Sequence, residues 1–260
     1  MPKTLAVLYC FPRSGGTLLN QCLLCAKNNV VLSEINPAGS VIEPEIQAAD
    51  WFELITSHTA RQLKYKIYQE KICTIHSKCE ATGRKLCVRD WSGINFLPNV
   101  SSWAPAPSLA LEQRIYLQEA GFELREVVLL RRSKAVFHSI RIHIPKMQQL
   151  SAKAFAEGYR AYLEQTKDMA RFYLEELTQP RAKIVQKICS ALSLDFDAGF
   201  EKRFYRVQTA TGNITLPNLP ASAHWKSIHK EIKTQSPLLM DSQKTVAIFD
   251  ELDALAGYNI

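Results

Sequence analysis

The chain has 260 residues, enough for one large domain with a sizeable core, and nothing in it forces a second. Apolar residues make up 47% and charged residues 22%, which excludes a disordered chain, and no apolar run approaches the roughly eighteen residues of a membrane span. The net charge of +7 is spread along the chain and forms no stripe, so it argues against nucleic acid while suiting an anionic ligand.

Leu5 to Tyr9 is a short apolar run that reads as a buried strand, and Thr17 to Lys27 has the length and punctuation of a helix. The stretch between them, Cys10 to Leu19, holds Pro12, Arg13, Ser14, Gly15, Gly16, Thr17 and Leu18. A strand, a glycine turn and a helix start aim free backbone N–H groups and the positive end of a helix dipole at one point, which is an anion site. Arg13 adds a fixed positive charge there, and Ser14 and Thr17 add hydroxyl donors. Val30 to Ser33 is a second strand, and Glu34 to Gly39 reads as a loop because of Pro37 and Gly39.

Helical spacing recurs from Ile46 to about Leu54 and from Thr59 to about Cys79, where Leu63, Ile67, Ile72 and Ile75 share a face and Gly83 ends the helix. Leu86 to Val88 is a third strand, ending in Arg89-Asp90-Trp91, and Pro98 to Pro107 is loop. Leu109 to Ala120 is helical and stops at Gly121. Val127 to Leu130 is the most β-like run of all; it ends in Arg131-Arg132-Ser133 and leads into a helix to about Arg141. Ser151 is the expected N-cap of a long helix reaching about Arg171, Phe172 to Leu177 is read as a strand, and Pro180 opens a helix over Arg181 to Leu192. The region from Phe204 to Pro220 reads as loop, His224-Trp225-Lys226 follows, and a last amphipathic helix runs from about Ser242 to Leu255, closed by Gly257. Strands alternating with helices predict an α/β fold: three α/β/α layers around a central parallel sheet, in a single domain over residues 1–260. Right-handed crossovers then bring the loops after the first four strands to one sheet edge.

The seven Cys, at 10, 22, 25, 73, 79, 87 and 189, are odd in number. Cys22 and Cys25 lie in the apolar part of the first helix with no second pair at zinc spacing, so they read as reduced core thiols of a cytoplasmic protein. The N-terminus has one Lys and then enters the first strand, unlike a signal peptide.

The first loop lacks the Lys of a Walker A motif, which disfavours a P-loop kinase or NTPase. Phe11 to Leu19 instead resembles the 5′-phosphosulfate loop of the sulfotransferases that use 3′-phosphoadenosine 5′-phosphosulfate (PAPS), typically P-[RK]-S-G-T-T-[LW]-L. Gly16 stands where that family usually has Thr, so the backbone cradle is kept and one side-chain donor is lost. Val127 to Ser139 resembles the family's 3′-phosphate motif, with Arg131 and Ser139 on the motif Arg and Ser, and with Arg132 and Ser133 in place of the usual Asp-Pro. A third likeness runs from Tyr173 to Leu194, and His224-Trp225-Lys226 is similar to the loop that closes on the nucleotide.

The resemblance implies the P-loop NTPase-like architecture of that family and transfer of a sulfuryl group from PAPS to an acceptor hydroxyl or amine, leaving 3′-phosphoadenosine 5′-phosphate (PAP). It implies Arg13, Ser14, Gly15, Gly16, Thr17, Leu18, Arg131 and Ser139 as nucleotide ligands, Arg13 as an electrostatic clamp, and no metal. The acceptor's proton needs a base. Glu34, just past the second strand, is the first candidate and Asp90, at the end of the third, the second; Glu34 as a loop cap, and Asp90 paired to Arg89 or a backbone N–H, are the competing roles, and His58, His76, His138 and His143 are further candidates by residue type alone, each read first as a surface or helix residue. Trp51, Phe52, Trp91, Phe96 and Trp103 suggest an aromatic-lined entrance for a small-molecule, lipid or carbohydrate acceptor. A non-catalytic PAP-binding protein of the same fold is the alternative, and a homo-oligomer is compatible with either.

Overall fold

The structure is a computed structural model and describes residues 3–104, 106–178, 181–212, 221–233 and 243–258. Among the described residues six strands, β1 (Lys3–Cys10), β2 (Asn29–Asn36), β3 (Gly39–Ser40), β4 (Lys85–Asp90), β5 (Phe122–Leu130) and β6 (Ala170–Tyr173), form one sheet in the order β3-β2-β4-β1-β5-β6. All neighbours are parallel except β2 and β3. The helices are α1 (Gly16–Leu23), α2 (Pro44–Ile46), α3 (Ser57–Leu63), α4 (Tyr68–Ala81), α5 (Gly93–Phe96), α6 (Glu112–Glu119), α7 (Ser133–His143), α8 (Ala152–Gln165), α9 (Arg181–Ala191), α10 (Ala221–Lys233) and α11 (Gln243–Ala256).

Alternation along the strands divides the core into two halves. Leu5, Val7 and Tyr9 of β1, with Val88 of β4 and Val128 of β5, pack on one face against Ile72 and Ile75 of α4, Phe137 of α7, Phe155 and Tyr159 of α8, and Phe249 of α11. Ala6, Leu8 and Cys10, with Cys87, Val127 and Leu129, pack on the other against Leu19 of α1, Ile184 and Ile188 of α9, and Trp225 of α10. The protein is therefore a three-layer α/β/α fold, and its strands read as continuous apolar runs because both faces are covered. The C-terminal ends of β4, β1 and β5 lie side by side, which sets the loops after them next to one another.

Several boundaries differ from expectation. The stretch expected as one helix over 59–79 is two, α3 and α4, with the break at 64–67; Ile67 falls in that break and is 64% exposed, while Leu63, Ile72 and Ile75 are buried. Ser151 caps α8, its hydroxyl accepting from the Ala154 N–H at 3.1 Å, but α8 ends at Gln165 because the chain turns into the edge strand β6. That strand comes earlier than Phe172–Leu177, and Leu174–Thr178 forms a 3-10 turn instead. Glu34 to Asn36 continue β2, and Gly39–Ser40 folds back on it as β3. His224 to Lys226 lie in α10, not in a loop. Pro180, Ser242 and residues 213–220 lie outside the described residues. All seven cysteines are unpaired, and among the described residues no helix is long and apolar enough to cross a membrane.

Candidate functional site

The loop from β1 to α1 is built on unusual backbone. Arg13 has φ 69° and Gly15, the N-cap of α1, has φ 90°. A side chain at position 15 is excluded twice: the left-handed conformation disfavours it, and an added Cβ would lie 2.4 Å from Leu174 Cδ1. The Ser14 N–H bonds the Phe11 carbonyl at 3.1 Å, closing the turn. The Ser14 hydroxyl is fully buried and has no hydrogen-bond partner among the described residues. Position 16 is tight as well, since an added Cβ would meet Arg89 Nε at 2.9 Å and Cys10 Cβ at 3.0 Å. The neighbouring Cys10 thiol is no nucleophile, because burial pushes it up to about 12.

The loop after β5 meets this one. Arg13 donates from Nε to Ser139 Oγ at 2.9 Å, and Arg131 donates to the Arg13 carbonyl at 3.1 Å. Residues more than a hundred positions apart are thus brought into direct contact because β1 and β5 are parallel neighbours. The Tyr159 hydroxyl in turn donates to the Arg131 carbonyl at 3.0 Å. The start of α7 is held by α11: Asp253 accepts from the Ser133 N–H at 2.7 Å and pairs with the Arg132 guanidinium at 3.4 Å. Arg131 Nε is buried without a partner among the described residues.

The two carboxylates differ. The register between β2 and β4 jumps from Ser33 opposite Arg89 to Ile35 opposite Asp90, leaving Glu34 as the extra residue of a bulge at φ 52°. Its carboxylate pairs with Arg89 at 2.7 Å. Adjacent strand residues point to opposite faces, so Arg89 does not pair with Asp90. Asp90 accepts from Asn36 at 2.8 Å and from Ser92 at 2.6 Å instead. Its carboxyl is pushed up to about 6 by burial, against the opposing pull of those two hydrogen bonds.

A cavity of about 480 Å³ opens above these strand ends. Of the expected site residues, Arg13, Gly15, Gly16, Thr17, Leu18, Glu34, Asp90 and Arg131 line it. Ser14 and Ser139 do not; Ser139 reaches it through Arg13. Thr17 donates to the Thr211 carbonyl at 2.9 Å, so residues 207–212 lie across the start of α1. Its lining is in part ionic and in part apolar, the apolar part including Trp91, Leu97, Val100, Ile144 and Met147. Only Trp91 of the five expected aromatics contributes. Phe96 is in the core, Trp51 and Phe52 pack on each other, and Trp103 is 64% exposed with its indole N–H on the Ala38 carbonyl. Arg89 lines the cavity too and was not among the expected site residues, while His143 and His224 also line it, His224 from the stretch likened to the nucleotide-closing loop. Strand parity was the signal available for Arg89, since it places Arg89 on the α1 face.

No protein-family model matches the chain, and no curated protein sequence matches it. Solved structures do. The sulfotransferase domain of the Synechococcus PCC 7002 olefin synthase matches at 16% identity and a TM-score of 0.61, over 100% of this chain and 96% of that one. The chain has the sulfotransferase fold. The sulfotransferase domain from the curacin biosynthetic pathway agrees, at 15% identity and a TM-score of 0.63, over 100% and 99% of the two chains. Within the sulfotransferase fold, the glycine loop, the Arg131 turn and the two carboxylates of this chain share one cavity.

Proposed function

We propose that this protein transfers a sulfuryl group from PAPS to a hydroxyl or amine of an acceptor with an apolar body. The observation that carries the reading is the joint between the two loops. Arg13 binds Ser139 and Arg131 binds Arg13, so a grip suited to a 5′-phosphosulfate and one suited to a 3′-phosphate are fixed relative to each other. The idle donors fit such a ligand: Arg89 Nε and Arg131 Nε, on two residues that line the cavity, are buried with no partner among the described residues. Buried donors of this kind are costly unless an acceptor arrives.

In this reading Arg13 is the fixed cation beside the transferring group, always charged and unable to give up a proton. It steadies charge that builds on the leaving 5′-phosphate oxygen as the sulfur–oxygen bond breaks. Asp90 takes the acceptor's proton as the acceptor atom bonds to sulfur, and PAP leaves. Asp90 suits that role better than Glu34, because it lines the cavity with a carboxyl near 6 and is held by Asn36 and Ser92. Glu34 is engaged by Arg89. The apolar lining residues Trp91, Leu97, Val100, Ile144 and Met147 are where the acceptor's body would lie.

The test is thermal stabilisation by PAP compared with AMP and with ATP plus magnesium. A ligand of the native state raises the melting temperature by mass action. PAP is expected to stabilise and AMP far less. Stabilisation by magnesium-ATP alone would transfer the protein to nucleotide hydrolysis or phosphoryl transfer and overturn the proposal.

A further inference from the structure

Asp90 is 1% exposed yet lines the cavity, and the polar side chains behind it form a linked set. Asn36, at the end of β2, donates from Nδ2 to Asp90 Oδ1 at 2.8 Å and to Asn95 Oδ1 at 2.6 Å. Its own Oδ1 accepts from the Ala38 N–H at 3.0 Å, and a backbone N–H can only donate, so the orientation of the Asn36 amide is fixed. Asn95, in α5, is buried as well and closes the loop that follows it. Its Nδ2 donates to Ser108 Oγ at 3.2 Å, and its carbonyl accepts from the Leu109 N–H at 2.9 Å. Leu97 and Val100 of that loop line the cavity, whereas Asn36 and Asn95 do not.

Two contacts therefore hold the plane of the Asn36 amide, Ala38 on its oxygen and Asn95 on its nitrogen, and the remaining N–H is left aimed at Asp90. A donor held in advance favours the charged carboxylate and opposes the burial that raises it. Without Asn95 the amide keeps one anchor besides Asp90 itself, and the direction of its donor is no longer imposed. The titratable groups facing Asp90 from the packed elements are Tyr9 and Cys10 of β1, Tyr68 of α4, Glu112 of α6 and Tyr162 of α8. Burial pushes the three tyrosines and the thiol upward, so they stay neutral while Asp90 titrates; Glu112 adds a like charge that opposes its ionisation.

We propose that Asn95 is a positioning residue for Asp90, fixing the Asn36 amide so that its N–H meets the carboxylate that takes the acceptor's proton. This rests on the reading of Asp90 as the base. The test is a carbon-13 carboxyl NMR titration of Asp90 in wild type, Asn36→Leu, Asn95→Leu and Ser108→Ala, with the resonance assigned by its absence in Asp90→Asn. Asn36→Leu is expected to raise the Asp90 pKa by about one unit, the scale of one lost hydrogen bond to a charged group. Asn95→Leu is expected to raise it by about half a unit or more, although Asn36 is still in place. Ser108→Ala loosens the loop without touching Asn36 and is expected to leave Asp90 where it is. Asn95→Ala, which removes the same acceptor, carries the test if Asn95→Leu does not fold. An unmoved Asp90 in the Asn95 variants, or an equal rise in Ser108→Ala, overturns the role of Asn95. An Asp90→Asn protein that transfers sulfuryl groups at the wild-type rate overturns the base reading instead and leaves the titration result standing.

Discussion

After β1 the chain passes through Arg13 and Gly15 at positive φ and leaves donors idle, whereas after β5 nearly every polar group around Arg132 and Ser133 is already tied. The Arg132 N–H bonds Glu175, the Ser133 N–H bonds Asp253, and the Ser133 hydroxyl donates to the Phe249 carbonyl. Both turns depart from the motif they resemble, and both departures are met from elsewhere in the chain. Where an Asp is absent after Arg131, Asp253 of α11 supplies a carboxylate to the start of α7. Where a side chain is absent at Gly16, Arg89 of β4 fills the space. The difference lies around the two helix starts: the polar groups of Arg132 and Ser133 are spent on the fold, whereas the Ser14 hydroxyl, like Arg131 Nε just before the tied turn, has no partner among the described residues. A motif position can be replaced by a residue far away in sequence, provided the sheet brings it to the same edge.

The largest expected effect is at Asp90, and it separates chemistry from stability. Asp90→Asn is expected to reduce turnover by roughly 10²–10⁴-fold, the usual contribution of a positioned base, in a sulfuryl-transfer assay with a responsive acceptor. The same variant should be more stable than wild type at pH 8. The folded-state carboxyl is raised to about 6, so the folded protein holds that proton more tightly than the unfolded chain. The contribution is fully present below pH 4 and is lost as pH rises through 6, a change on the order of 2–3 kcal/mol that denaturant melts across this range would register. An Asp90→Asn protein that turns over normally removes Asp90 from the mechanism.

The idle turn is next. Gly15→Ala forces a left-handed alanine against Leu174 and is expected to cost about 3 kcal/mol and to abolish stabilisation by PAP. On the tied turn, Asp253→Ala should cost about 2 kcal/mol, from a lost charged cap on α7, with PAP affinity falling far less than at Gly15. Equal effects on PAP binding at the two positions would erase the distinction between the turns.

Much of this was legible in the chain. Continuous apolar runs at Leu5, Leu86 and Val127, punctuated by Gly and Pro, specify a buried parallel sheet, and the strand–glycine–helix order specifies the tight turn between β1 and α1. What escaped were features set by single residues or by pairing between distant ones. The bulge at Glu34 is invisible in sequence, because a one-residue slip of β2 against β4 leaves composition untouched. The break at 64–67 hides in uninterrupted helical spacing. Phe96 and Trp103 are both aromatic, yet one is in the core and the other at the surface, and only tertiary placement separates them from Trp91.

The central claim is that the Arg131 turn and the glycine loop grip the two ends of one nucleotide. The most direct measurement is the ratio of dissociation constants for AMP and PAP, ligands that differ in the 3′-phosphate, in wild type and in Arg131→Ala. Wild type should prefer PAP strongly, and Arg131→Ala should lose about 2 kcal/mol of PAP affinity while its affinity for AMP holds, so that the preference collapses. An undiminished preference for PAP in Arg131→Ala would contradict the account.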